Sequence, residues 1–181
     1  MASDDDRECL SDTVDLAILR GDGDWPGYDT SLLFGETIFP VCSPDYLDRH
    51  PEAQEVEKLA HQELIEVDSS HDEWMNWTTW MRDCDAQLKT PARAAVFNTY
   101  PLAIQGAVDG LGIALGWGHL VDMLLDAGKL VRVGGGASVR TDFGYYLLAR
   151  KGKLGSASRD VVEQWLMDTS AARKRYASAA E

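Results

Sequence analysis

The sequence predicts an α/β fold with mostly parallel sheets, on three observations. Short apolar runs alternate along the chain with segments of helical periodicity, the order that lays helices over parallel strands. Residues 97–117 hold a strand exit, a helix start, a helix stop and a second strand in succession. Gly112-Ile113-Ala114-Leu115-Gly116 is apolar throughout and too short for a helix, which reads as a central strand buried on both faces.

Each element follows from a local signal. Residues 4–12 read as a short helix leading into a strand over Asp15–Leu19 that ends at Arg20-Gly21. The loop Gly21-Asp22-Gly23-Asp24-Trp25-Pro26-Gly27 is turn chemistry throughout. Strands follow at Leu32–Phe34 and Thr37–Cys42. Ser43-Pro44 then starts a helix, with a cap and a first-turn proline. A helix at about 55–60 and a strand over Leu64–Val67 come next. Asp72 caps a helix from Glu73 to about Cys84, with Trp74, Trp77 and Met81 on one face and Trp80 three residues beyond Trp77. Val96-Phe97 is the strand entering the central unit.

In that unit Asn98 or Thr99 caps the helix by accepting an amide N–H, and Pro101 suits the first turn. Leu102, Ile104, Ala107, Val108 and Leu111 recur at helical spacing, and Asp109-Gly110 supplies the stop. His119–Ala127 is a helix closed by Gly128, Leu130–Val133 a strand, and Gly134-Gly135-Gly136 a flexible turn. Phe143–Arg150 is a strand. The last helix covers about 157–173, with Val161, Val162, Trp165 and Leu166 inward, and the tail beyond it frays.

Composition excludes several classes of function. With 17 basic and 30 acidic residues the net charge is −13, so the chain lacks the basic stripe that nucleic acid requires. Cys9, Cys42 and Cys84 have no metal-ligand spacing and read as reduced thiols of a cytoplasmic protein. The acidic start is no secretory signal, and no apolar run approaches the ~20 residues of a membrane span. His71-Asp72-Glu73 cannot converge on one metal from a helix, and His50, His61 and His119 read as surface or capping residues. No phosphate loop and no nucleophile turn is present. The sequence calls for no cofactor, no metal and no catalytic residue.

Three stretches carry a resemblance. Leu102-x-x-x-Gln-x-Ala-Val-x-x-Gly-x-Gly-Ile-Ala-Leu-Gly116 is followed by a helix and Gly128-Lys129-Leu130-Val131. The other two are Val14–Gly27, with Asp15-Leu16-Ala17-Ile18 and Trp25-Pro26-Gly27, and Leu33–Pro44, with Phe39-Pro40-Val41-Cys42-Ser43-Pro44. In this order they resemble the effector-binding domain of LysR-type transcriptional regulators, the subgroup of the glycine-cleavage activator, across about residues 4–167. The resemblance implies a two-lobed fold like that of periplasmic binding proteins, crossed twice by the chain. On it the first lobe holds residues 1–40 and 135–181, and the second 41–134. It implies a chain that starts inside the first lobe, after the winged helix and the first strands. An uncovered sheet edge then invites a homo-oligomer.

Ligands of α/β proteins bind beyond the carboxyl ends of strands and at helix amino termini. Two strand ends qualify, Leu19-Arg20-Gly21 and Phe97-Asn98-Thr99-Tyr100. The expected ligand-binding residues are Arg20, Gly21, Asn98, Thr99, Tyr100 and Trp117, which by resemblance line the interlobe effector cleft. Arg20 offers a fixed positive charge for a small-molecule effector, a carboxylate, amino acid or betaine. Without the resemblance, Asn98 and Thr99 read as simple caps and Arg20 as a surface ion pair. Trp25, Tyr100 and Trp117 suggest an aromatic cage for a quaternary ammonium, against the plainer assignment of the helical tryptophans to core packing. A solute receptor of the same fold, an enzyme and a fragment without function of its own are the alternatives.

Overall fold

A computed structural model describes residues 9–68, 74–86, 93–152 and 156–173. Its strands are β1 (Leu16–Gly21), β2 (Tyr28–Cys42), β3 (Leu64–Val67), β4 (Arg93–Phe97), β5 (Ala114–Trp117), β6 (Val131–Arg132) and β7 (Val139–Arg150). Its helices are α1 (Pro44–Arg49), α2 (Trp77–Asp83), α3 (Tyr100–Val108), α4 (Gly118–Asp126) and α5 (Ala157–Ala171). The chain divides into two compact units, passing from the first to the second at Glu36/Thr37 and back at Arg140/Thr141.

In the first unit β7 lies between β1 and β2. β1 runs antiparallel to β7 from Leu16 opposite Ala149 to Gly21 opposite Gly144. Ala17, Leu19 and Leu148 form one small core, and Leu33, Phe34 and Leu147 another against Leu166 and Met167 of α5. The expected inward face of α5 is corrected: Val161 is 69 % and Trp165 62 % exposed, and Val162 is exposed as well. The buried side carries Leu166, Met167 and Ser170, whose hydroxyl donates to the Leu33 carbonyl. Helical spacing offers two faces here, and the more polar one meets the sheet because its serine satisfies a strand carbonyl.

In the second unit the later half of β2 pairs antiparallel with both β5 and β6. β3 and β4 are parallel, and a parallel bridge from Leu64 to Ile113 joins β3 to the chain entering β5. Gly112 permits that join, since a Cβ there would stand 2.2 Å from the Glu63 carbonyl oxygen. The expectation of mostly parallel sheets is therefore corrected. Parallel pairing holds at β3, β4 and Ile113, while β1/β7, β2/β5 and β2/β6 are antiparallel. Strand direction is decided by the side from which the chain re-enters a sheet, which local spacing does not encode.

The sequence expectations hold for Ser43, whose Oγ accepts from the Tyr46 amide, for Leu64–Val67, and for the stop at Gly110 with φ +78°. β5 is buried along its whole length. The break expected between Phe34 and Thr37 is absent, and β2 is one strand of 15 residues. Residues 56–61 form a 3-10 turn rather than an α-helix. The cap of α2 is Asn76, whose Oδ1 accepts from the Thr79 amide. Leu102 and Leu111 are each 52 % exposed, and α3 buries Ala103, Ile104, Gly106 and Ala107 instead. The expected helix start at residues 4–8, the His71-Asp72-Glu73 cluster and the frayed tail lie outside the described residues.

The second unit is held by two tryptophans that sequence reading placed on one helix. Trp77 and Trp80 are both fully buried, and each indole N–H reaches a strand carbonyl, Ile65 at 2.8 Å and Ile38 at 2.9 Å. A buried indole requires such an acceptor, so these two bonds orient α2 against β2 and β3.

Candidate functional site

In the second unit β4 ends at Phe97 and β5 at Trp117, and each runs directly into a helix. Thr99 is the N-cap of α3 and Trp117 that of α4, and neither side chain makes a capping hydrogen bond. The Trp117 backbone N–H donates to the Tyr100 hydroxyl at 3.0 Å. One phenol therefore ties the amino ends of two helices together. Their aligned peptide dipoles put partial positive charge at both starts, which favours an anion. Asn98 and Thr99 are exposed there.

Tyr100 and Trp117 meet edge to face with ring centroids 5.1 Å apart, and Trp74 lies against Trp117 at 6.2 Å. Trp74 is the aromatic that sequence reading missed, having been counted on the α2 face. The signal was Asn76, a strong cap two residues later, which excludes Trp74 from the helix. Trp25 belongs to the first unit, where it packs on Tyr146 at 5.6 Å. It also covers Gly21: a Cβ on that glycine would stand 2.6 Å from the indole ring.

Arg20 is the other predicted anchor, and its surroundings are specific. Its Nε donates to Glu36 Oε1 at 2.6 Å and its Nη2 to Oε2 at 3.1 Å. The Thr141 hydroxyl donates to the same Oε2 at 2.6 Å. The Glu36 side chain is sealed from solvent, that of Arg20 is 16 % exposed, and the guanidinium lies 4.5 Å over the Phe143 ring. The arginine charge is thus balanced by a buried carboxylate. Tyr145 completes the surroundings, its phenol pushed up to about 12 by burial and then by the Glu36 charge.

His119 is half-buried on α4 with Nδ1 3.5 Å from Asp122. His50 closes α1 and stacks on Tyr46. Cys9, Cys42 and Cys84 are free thiols. Among the described residues no group of three His, Cys, Asp or Glu side chains is arranged to hold a metal ion, and no helix is long and apolar enough to cross a membrane.

Together these features belong to a periplasmic-binding-protein-like α/β domain. The family described as the LysR substrate binding domain matches residues 3–170. The chain belongs to that family. It is 28 % identical over 173 residues to the glycine cleavage system transcriptional activator of Escherichia coli K12, covering 96 % of this chain and 55 % of that protein. It is 31 % identical over 147 residues to the HTH-type transcriptional regulator DsdC of the same organism, covering 77 % and 46 %. The chain therefore spans about half the length of these relatives. Among solved structures, the regulatory domain of CrgA from Neisseria meningitidis superposes with a TM-score of 0.72 at 20 % identity, covering 92 % of this chain and 80 % of that one. The effector domain of AmpR from Pseudomonas aeruginosa does so at 0.67 and 22 %, covering 87 % and 73 %.

Proposed function

We propose that this chain is the regulatory domain of a LysR-type transcriptional regulator and senses a small organic metabolite bearing a carboxylate. The effector-binding residues in this reading are Asn98, Thr99, Tyr100 and Trp117 of the second unit. The observation that carries it is the Tyr100–Trp117 hydrogen bond, which brings two helix amino ends together beside exposed Asn98 and Thr99. The reading is of a binding domain without catalysis, in a protein of the cytoplasm. Effector binding acts on transcription through a DNA-binding part supplied elsewhere in the regulator.

Ligand search and mutagenesis test this together. A thermal-shift screen of small carboxylates, amino acids and betaines identifies the effector class, because a binder of the native state raises apparent stability. Thr99→Ala then weakens binding of the hit roughly ten- to hundredfold, the about 1.5–3 kcal/mol of one hydrogen bond to a charged group. Its melting temperature without ligand stays near wild type, since the Thr99 side chain is exposed and makes no capping bond. Tight binding unchanged in Thr99→Ala moves the site away from this helix start.

A further inference from the structure

Among the described residues Arg132 is a cation without a paired carboxylate. It sits on β6 with its guanidinium carbon 4.0 Å above the centroid of the Phe39 ring. Its Nη2 donates to the Gly136 carbonyl at 3.2 Å, and its Nε is sealed from solvent without a hydrogen-bond partner. This occurs in a chain with 30 acidic side chains against 17 basic ones. A buried donor left unpaired costs about 1–3 kcal/mol, more when charged. Stacking on Phe39 meanwhile holds the guanidinium plane in one place.

The flanking turn reaches the surface at Gly135 and Gly136. Gly134, Gly135 and Gly136 all have positive φ, and a Cβ on Gly136 would meet nothing within 4 Å. The residue whose carbonyl anchors Arg132 is therefore a surface residue.

We propose that Arg132 is the centre of a second anion site, taking a small oxoanion, a carboxylate or a phosphate, on its guanidinium. Arg132 is not among the effector-binding residues assigned above, so the proposal stands apart from that assignment. A guanidinium presents paired donors that match two oxygens of one oxoanion, and a held plane loses little freedom when it binds. The net charge of −13 repels anions in general, so capture here requires the local donors rather than a diffuse field.

The test is a titration of the full chain followed by the Arg132 Nε–H cross-peak in nitrogen-15 spectra, assigned by its loss in Arg132→Lys. Inorganic phosphate and sodium acetate are the probes, with sodium chloride as the ionic-strength control. The expected result is a saturable shift of that peak with phosphate or acetate at concentrations at least tenfold below any chloride response. The stronger probe identifies the class. Arg132→Lys, which keeps the charge but loses the paired donors, weakens binding tenfold or more when the same probe is followed by thermal shift. A linear response equal to that of chloride overturns the proposal, and so does undiminished saturable binding in folded Arg132→Lys. If the variant does not fold, the wild-type titration alone decides.

Discussion

A carboxylate withdrawn from water is tolerated only where cations and hydroxyls replace the water it has lost. Glu36 meets that condition through Arg20 and Thr141, which places one residue from β1 and one from β7 on a single carboxyl group of β2. Breaking a buried pair by deleting one partner costs about 3–5 kcal/mol, because the other charge is left uncompensated. Glu36→Ala is therefore expected to lower stability by that amount in urea denaturation. Thr141→Val, which removes one neutral donor, should cost about 1–3 kcal/mol. Equal effects would mean that the charge on Arg20 is solvated without Glu36. Cys42 gives a pH prediction of definite sign. Burial pushes its thiol from 9.0 up to about 12. Below pH 9 both folded and unfolded chains keep the proton, and the contribution is intact. As pH rises from about 9 towards about 12 the unfolded chain loses the proton first, so stability declines. Urea midpoints at pH 8 and pH 10 should differ by less in Cys42→Ala than in wild type.

At the scale of elements, burial separates tryptophans that look alike in sequence. Trp80 is fully buried on α2 with its N–H on the Ile38 carbonyl, whereas Trp165 on α5 is 62 % exposed. Trp80→Ala should cost about 3–5 kcal/mol, the range for deleting a large buried aromatic. Trp165→Ala should stay within about 0.5 kcal/mol, as exposed substitutions do. Thermal unfolding of the two variants checks both, and a large loss from Trp165→Ala would show that a partner covers α5 in solution. The elements also show how far local signals reach. Caps and stops act within one turn, so Ser43 and Gly110 were legible, whereas Thr99 holds the cap position of α3 without the capping hydrogen bond expected of Asn98 or Thr99. The continuity of β2 through Gly35-Glu36 was not, because an acidic residue reads as a break until Arg20, 16 residues earlier, is known to face it.

Charge dominates at the scale of the whole molecule. Binding to DNA is driven largely by release of counterions to basic side chains, and this chain carries a net charge of −13. Expressed alone, it should show no sequence-specific retention of operator DNA in a gel shift at low salt. Specific retention would mean that a basic surface lies among these residues after all. In the relatives, which are about twice as long, the matched region accounts for 55 % and 46 % of the protein.

By itself the sequence determined the class of fold, the order of most elements and the family, because motif spacing and capping chemistry are local and survive without knowledge of the partners. It also singled out Thr99, Tyr100 and Trp117 as the ends of two strands that open helices. Only tertiary structure decided what those residues do to one another. The hydroxyl of Tyr100 meets the amide of Trp117 across 17 positions, Trp74 joins them, and Arg20 spends its charge on Glu36. The direction of strand pairing and the buried face of α5 were decided there too. All of these depend on contacts between segments far apart in the chain, and a helix with two plausible faces, or a cation with several reachable acids, is resolved only when the fold brings one of them close.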